Sequence, residues 1–164
     1  MVRGVPTIRP ISWIATIPQF IALFGAIGVG WAITNSTTGI VYGAAIYLSY
    51  SFGSRLLLAR AHRRGIRLAH QHRFAEAIAE YEASYDFFSR HRWLDNYRSI
   101  FMMTPGAMSY REMALANIAF AYSQLGDGQK AIAYYRRTLD EFPENQIALA
   151  ALKMMESAAH TTAP

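Results

Sequence analysis

Forty-five consecutive residues, Pro10 to Ser54, contain no Asp, Glu, Lys or Arg. A soluble domain of ordinary composition is about one-quarter charged, so a gap of this length rules out a single water-facing core. All 11 acids and 14 of the 16 bases lie from Arg55 onward. The chain of 164 residues therefore joins two materials near residue 55, an uncharged apolar third and a charged, amphipathic remainder. With no cysteine, disulfide, thiolate-metal and thiol chemistry are excluded.

Two apolar runs stand out: Ile11 to Ile33, and Ile40 to Leu58 with Arg55 near its end. A helix needs about 20 apolar residues to cross roughly 30 Å of hydrocarbon, and both runs qualify. Thr34-Asn35-Ser36-Thr37-Thr38-Gly39 between them is short, polar and turn-prone, which predicts an antiparallel transmembrane hairpin over residues 1–57. A cleaved signal peptide would need a shorter apolar stretch and a small-residue cleavage site; the first run is too long, and Trp31 interrupts it. A buried core hairpin of a soluble protein fits poorly with so long a stretch without charge.

Arg3 and Arg9 precede the first run, Arg55, Arg60, Arg63, Arg64, Arg67 and Arg73 end or follow the second, and the connecting loop is uncharged. Basic flanks stay on the cytoplasmic side, so both termini are expected in the cytoplasm. Trp13 and Trp31 fit interfacial anchors. Arg55, Arg60, Arg63, Arg64 and Arg67 form an expected lipid-facing belt for anionic headgroups. Nucleic-acid binding is the competing reading of these arginines, but from Phe74 on the balance is 8 bases against 11 acids, so no nucleic-acid partner is expected.

Small residues recur every four positions: Ala22, Ala26 and Gly30, then Gly39 and Gly43, then Ala45, Ser49 and Gly53. Such stripes let helix backbones approach. The two spans packing on each other explains them; docking of a foreign helix on one stripe is the sharper alternative. Pro18 is a potential kink. No ionisable residue lies at mid-depth, which disfavours an ion or proton path.

Beyond residue 55 apolar residues recur at three- and four-residue spacing, with breaks at Thr104-Pro105-Gly106, Gly126-Asp127-Gly128 and Phe142-Pro143. In residues 112–145, Leu115, Ile118-Ala119, Tyr122, Ala131, Tyr135 and Pro143 recur in the order large, apolar-small, aromatic, small, aromatic, proline. This pattern resembles the tetratricopeptide repeat, with Leu115 where that family favours Trp. Residues 58–91 resemble it more weakly through Gly65, Leu68, Phe74, Ala77, Ile78 and Tyr81. The likeness is to small bacterial membrane-anchored proteins of this repeat family. It implies an all-α fold, a transmembrane hairpin followed by a short α-solenoid. The 58–164 domain then holds two repeats, an insertion at 92–111 and a capping helix at 144–159 whose apolar set is Ile147, Leu149, Leu152, Met155 and Ala159. The second helix of the first repeat is expected to run past Arg90, with a loop centred on Pro105. Two repeats fall short of the three usually needed for stability, so a partner is expected.

The resemblance also implies a concave groove lined by the first helix of each repeat: Ala59, His62, Ile66 and His70, and Met113, Asn117 (or Ala116), Phe120 and Gln124. An amphipathic helix or extended peptide would fit it; filling by the insertion or cap is the alternative. No catalytic motif is present. Gly25-x-x-Gly28-x-Gly30 lies inside a span without a preceding strand, and His62, His70 and His72 are read as juxtamembrane rather than zinc-binding. Met102, Met103, Met108 and Met113 are read as adaptable packing rather than soft-metal ligands. No cofactor or metal is expected. Function is expected to be non-catalytic: an accessory or assembly subunit of a larger bacterial inner-membrane complex, or alternatively a freestanding adaptor that recruits soluble partners through the groove.

Overall fold

A computed structural model of the chain describes residues 16–104 and 106–161. Residues 11–15 of the first expected span, with Trp13, Arg3, Arg9, Pro105 and the side chain of Ala159, lie outside the described residues. The described chain is all-helical: α1 (Ile17–Thr34), α2 (Thr37–Leu58), α3 (Arg60–His70), α4 (Phe74–Arg90), α5 (Arg92–Asn96), α6 (Arg98–Phe101), α7 (Tyr110–Gln124), α8 (Gly128–Glu141) and α9 (Gln146–Thr161). Two compact units emerge, one of Met1–Leu58 with Asn96–Ser109, the other of Ala59–Asp95 with Tyr110–Pro164. The division is thus not linear. The insertion expected at 92–111 is parted, and its middle belongs to the apolar unit.

In the first unit α1 and α2 form a tight antiparallel pair. The expected six-residue loop contracts to Asn35 and Ser36. Asn35 adopts the left-handed conformation (φ 50°) and returns its N–H to Trp31 O at 2.7 Å, a helix stop that Asn supports without glycine. The Ser36 hydroxyl accepts from Thr38 N at 3.2 Å and so starts α2. Pro18 sits in the first turn of α1, where its missing N–H removes no intrahelical bond, and the kink considered for it has no cause. Among the described residues α1 alone is long and apolar enough to cross a membrane. The Thr, Ser and Tyr content of α2 dilutes its apolarity below that level.

In the second unit each helix packs on the next. The hairpin α3–α4 is followed in space by α7–α8, with α4 against α7 and α9 against α8. The packing follows residue size. Ala77, Ile78 and Tyr81 of α4 meet Ile118 and Ala121 of α7 in one core, and Ala119, Tyr135, Ala148 and Leu152 form a second that α9 closes. A Cβ on Gly65 would lie 2.7 Å from the Tyr81 ring, so glycine is what lets α3 approach α4 there. α7 is the central helix: Ala114, Leu115, Ala116, Ile118, Ala119 and Ala121 are all buried, covering most of its circumference. α8 ends at Glu141, two residues before Pro143, and Asn145 opens α9 by accepting from Ala148 N at 2.7 Å. α4 stops at Arg90 instead of running on. His91 breaks it, its Nδ1 2.9 Å from Phe87 O, and α5 begins afresh.

Candidate functional site

Three surfaces carry the residues singled out from the sequence. The first is the α1–α2 hairpin, whose contact is backbone on backbone. A Cβ on Gly30 would collide with Gly39 O, one on Gly39 with Gly30 O, and one on Gly43 with Ala26 O. Ala26 and Gly30 therefore face Gly39 and Gly43, and that stripe is consumed inside the hairpin. The other stripe on α2 is not. Ala45 and Ser49 are exposed, and a Cβ on Gly53 would meet nothing within 4 Å. Around the hairpin Phe20, Ile21, Phe24, Val29, Ile33, Ile46, Phe52 and Leu57 all stand exposed. An apolar depression of about 320 Å³ lies between the two helices, bordered by Val29, Ile33, Tyr42 and Ile46.

The second surface lies in the same unit and was not anticipated. The segment 96–109 docks at the end of the hairpin where α2 finishes, with α6 against α1. Tyr50 Oη donates to Phe101 O at 3.1 Å. Arg55 Nε donates to Met102 O at 3.0 Å, and its other nitrogen to Met103 O. Arg98 donates to Gly106 O at 3.0 Å and to Ala107 O. Arg55 was expected in the lipid-facing belt; it is instead half-buried and spends its donors on carbonyls. Only a lone base near the end of an apolar run hinted at this, and nothing in the sequence named its acceptors 47 and 48 residues away. Met102 and Met103 are buried.

The third surface belongs to the second unit. Arg60, Arg63, Arg64 and Arg67 share one exposed face of α3, with Arg64 3.7 Å from Glu80. The opposite face of α3 is core, and this corrects the groove assignment. His62 is 3% exposed, with its ring 5.6 Å from Tyr81 and 5.3 Å from Tyr110 and its Nδ1 3.4 Å from Ser84 Oγ. Helical phase explains it: residue 62 shares a face with Gly65 and Ala69, not with the arginines. Ile66 packs on the core beneath α4 and α7, and Phe120 meets Phe74 edge-on at 6.3 Å. Met113 and Asn117 are half-buried, whereas His70 and Gln124 are exposed. Of the seven, His62 is buried in the core and Ile66 packs against it, so those two are not open to a ligand.

Polar groups in the second unit are arranged for structure. Asp95, 2% exposed, accepts from Tyr110 N at 2.7 Å and Arg111 N at 3.2 Å and so caps α7 from 15 residues upstream. Arg111 pairs with Glu141, donates to Ser89 Oγ at 3.1 Å and lies 5.5 Å from the Tyr85 and Phe142 ring centroids. Burial pushes the Tyr81 phenol up to about 12, and raises that of Tyr135. At the α8 start the Lys130 backbone N–H and ammonium hold the Asp127 carboxyl below its ordinary value. Every buried side-chain nitrogen and oxygen among the described residues has a hydrogen-bond partner, and no group of three metal-ligating side chains gathers among them. No protein-family profile, curated protein or solved structure matches the chain.

Proposed function

We propose that this chain is a non-catalytic accessory or assembly subunit of a larger membrane complex, in keeping with its arginine-rich, lysine-poor make-up one of the bacterial inner membrane. Its hairpin is embedded in the bilayer and its helical-repeat unit is cytoplasmic. The observation that carries this reading is the hairpin itself. Among the described residues α1 packs on α2 through glycine, the segment 96–109 covers one end, and much of the remaining surface is large exposed apolar side chains, with no charged side chain before Arg55. Water is a poor solvent for such a surface: at about 25 cal/mol per Å² its exposure would exceed the net stability of a small domain.

The 18 residues of α1 rise about 27 Å and the 22 of α2 about 33 Å, lengths that suit a roughly 30 Å hydrocarbon layer. α2 crosses as the partner of α1, its diluted apolarity offset by the shared helix contact. The tetratricopeptide-like reading of the second unit rests on the residues that resemble that family: Leu115, Ile118, Ala119, Ala131 and Tyr135 are buried, as that packing requires. The unconsumed stripe Ala45, Ser49 and Gly53 suits a helix of another subunit. The adaptor alternative, with a groove for soluble peptides, is weakened by the burial of His62 and the packing of Ile66 and Phe120.

Extraction in mild detergent tests the proposal. Stoichiometric partners should co-migrate with the chain, and Ser49→Leu together with Gly53→Leu should release them. A monodisperse single-chain species before any substitution would refute the subunit reading.

A further inference from the structure

The segment Asn96–Ser109 interrupts the charged part of the chain, yet it shares the chemistry of the hairpin it joins. All 11 acids fall in Ala59–Asp95 and Tyr110–Pro164. The apolar unit contains none, and within Asn96–Ser109 the single ionisable side chain apart from Tyr97 is Arg98. Tyr97, Ile100 and Phe101 share one side of the short helix α6 and stand exposed, Tyr97 by 57% and Ile100 by 46%. They lie at the end of the hairpin where Phe52, Leu56 and Leu57 of α2 are also exposed.

The backbone of this segment is irregular after Phe101, which in an apolar setting would leave carbonyls without donors. Each of five is served by a side chain of the same unit: Phe101 O by Tyr50, Met102 O by Arg55 and Thr104, Met103 O by Arg55, and Gly106 O and Ala107 O by Arg98. A loop exposed to water does not need this, because water supplies donors. A loop at the edge of hydrocarbon does, because an unsatisfied carbonyl there costs several kcal/mol. Two guanidinium groups kept on carbonyls, with long aliphatic stems, also suit the headgroup layer, where cations tolerate the boundary.

We propose that Asn96–Ser109 is an interfacial foot: it lies in the lipid headgroup layer beside the inner end of the hairpin, with Tyr97, Ile100 and Phe101 directed into the acyl boundary. This inference rests on the reading of the hairpin as membrane-embedded and adds a third membrane contact that sets hairpin depth. The partner is the phospholipid boundary rather than a protein, because exposed aromatic and aliphatic side chains without acids continue the apolar surface of α2.

The absence of cysteine allows a direct test on the full chain in phosphatidylethanolamine–phosphatidylglycerol vesicles. Spin labels are placed singly through Val29→Cys, Tyr97→Cys, Ile100→Cys and Met154→Cys. Met154 is 75% exposed in the second unit and serves as the aqueous standard. Collision with oxygen relative to a water-soluble nickel chelate should rise from Met154 to Tyr97 and Ile100, and again to Val29. Labels at Tyr97 and Ile100 as aqueous as Met154, with Val29 deep, would overturn the foot and leave the embedded hairpin standing. Labels there shielded from both relaxants would overturn it in favour of a protein cover. A Val29 label as aqueous as Met154 would bring down the membrane reading and the foot with it.

Discussion

Asp95 is one acid among 11, inside the expected insertion, yet its buried carboxylate holds two backbone N–H groups at the start of the central helix. Losing an N-cap of this kind costs about 0.5–2 kcal/mol, and a buried pair of orphaned donors places Asp95→Ala at the upper end. Thermal unfolding should show a clearly lowered Tm for Asp95→Ala and a smaller drop for Asp95→Asn, which keeps one acceptor. Tyr81 makes a prediction of opposite character. Its folded pKa, raised to about 12 by burial, lies above the ordinary phenol value of 10.0. Between those values the folded state holds a proton that the unfolded state has released, so stability is intact below pH 10 and declines as pH climbs toward 12. Denaturant titrations across that window should show the decline, and Tyr81→Phe should reduce it, leaving the shares of Tyr134 and Tyr135, whose phenols burial also raises. Neither role was readable beforehand: Asp95 acts across a 15-residue excursion, and the burial of Tyr81 depends on Gly65 across a helix pair.

The helices themselves were more legible. The start of α8, its stop and the start of α9 follow local chemistry at Asp127, Pro143 and Asn145, and Leu115, Ile118, Ala119, Ala131 and Tyr135 of the 112–145 pattern are buried. Helical phase went astray in α3, where four arginines drew attention to the lipid side and hid the fact that His62 points the other way. In the hairpin, the two glycine stripes of α2 are indistinguishable by spacing; only the partner surface separates them. That separation is testable. Gly43→Leu must drive atoms into the backbone of α1 and, as overpacking typically does, should remove about 1–3 kcal/mol of stability. Gly53→Leu meets open space and should leave the hairpin unaffected. Melting in detergent micelles distinguishes the two.

For the whole molecule, the decisive feature was legible from the start: charge is partitioned, and the all-helical character follows from periodicity. The return of 96–109 to the apolar unit was not, because it depends on donors and acceptors 47 or more residues apart. On the proposed membrane reading, the charge asymmetry about the hairpin puts its loop outside and the second unit inside. A single cysteine at Ser36 should react with a membrane-impermeant maleimide in intact cells, whereas one at Met154 should react only after lysis; the reverse pattern would invert the assigned topology.

The discontinuity of the apolar unit also dictates an order of events during biosynthesis. Arg55 leaves the ribosome 47 residues ahead of Met102, whose carbonyl it grips. At roughly 5–20 residues per second that is a wait of about 2–9 s. Throughout it the guanidinium must be solvated by water or by lipid phosphate. The hairpin therefore waits, its Arg55 contact unmade, while Ala59–Asp95 of the second unit is synthesised, and the last piece of the first-made unit arrives before Tyr110–Pro164 follows.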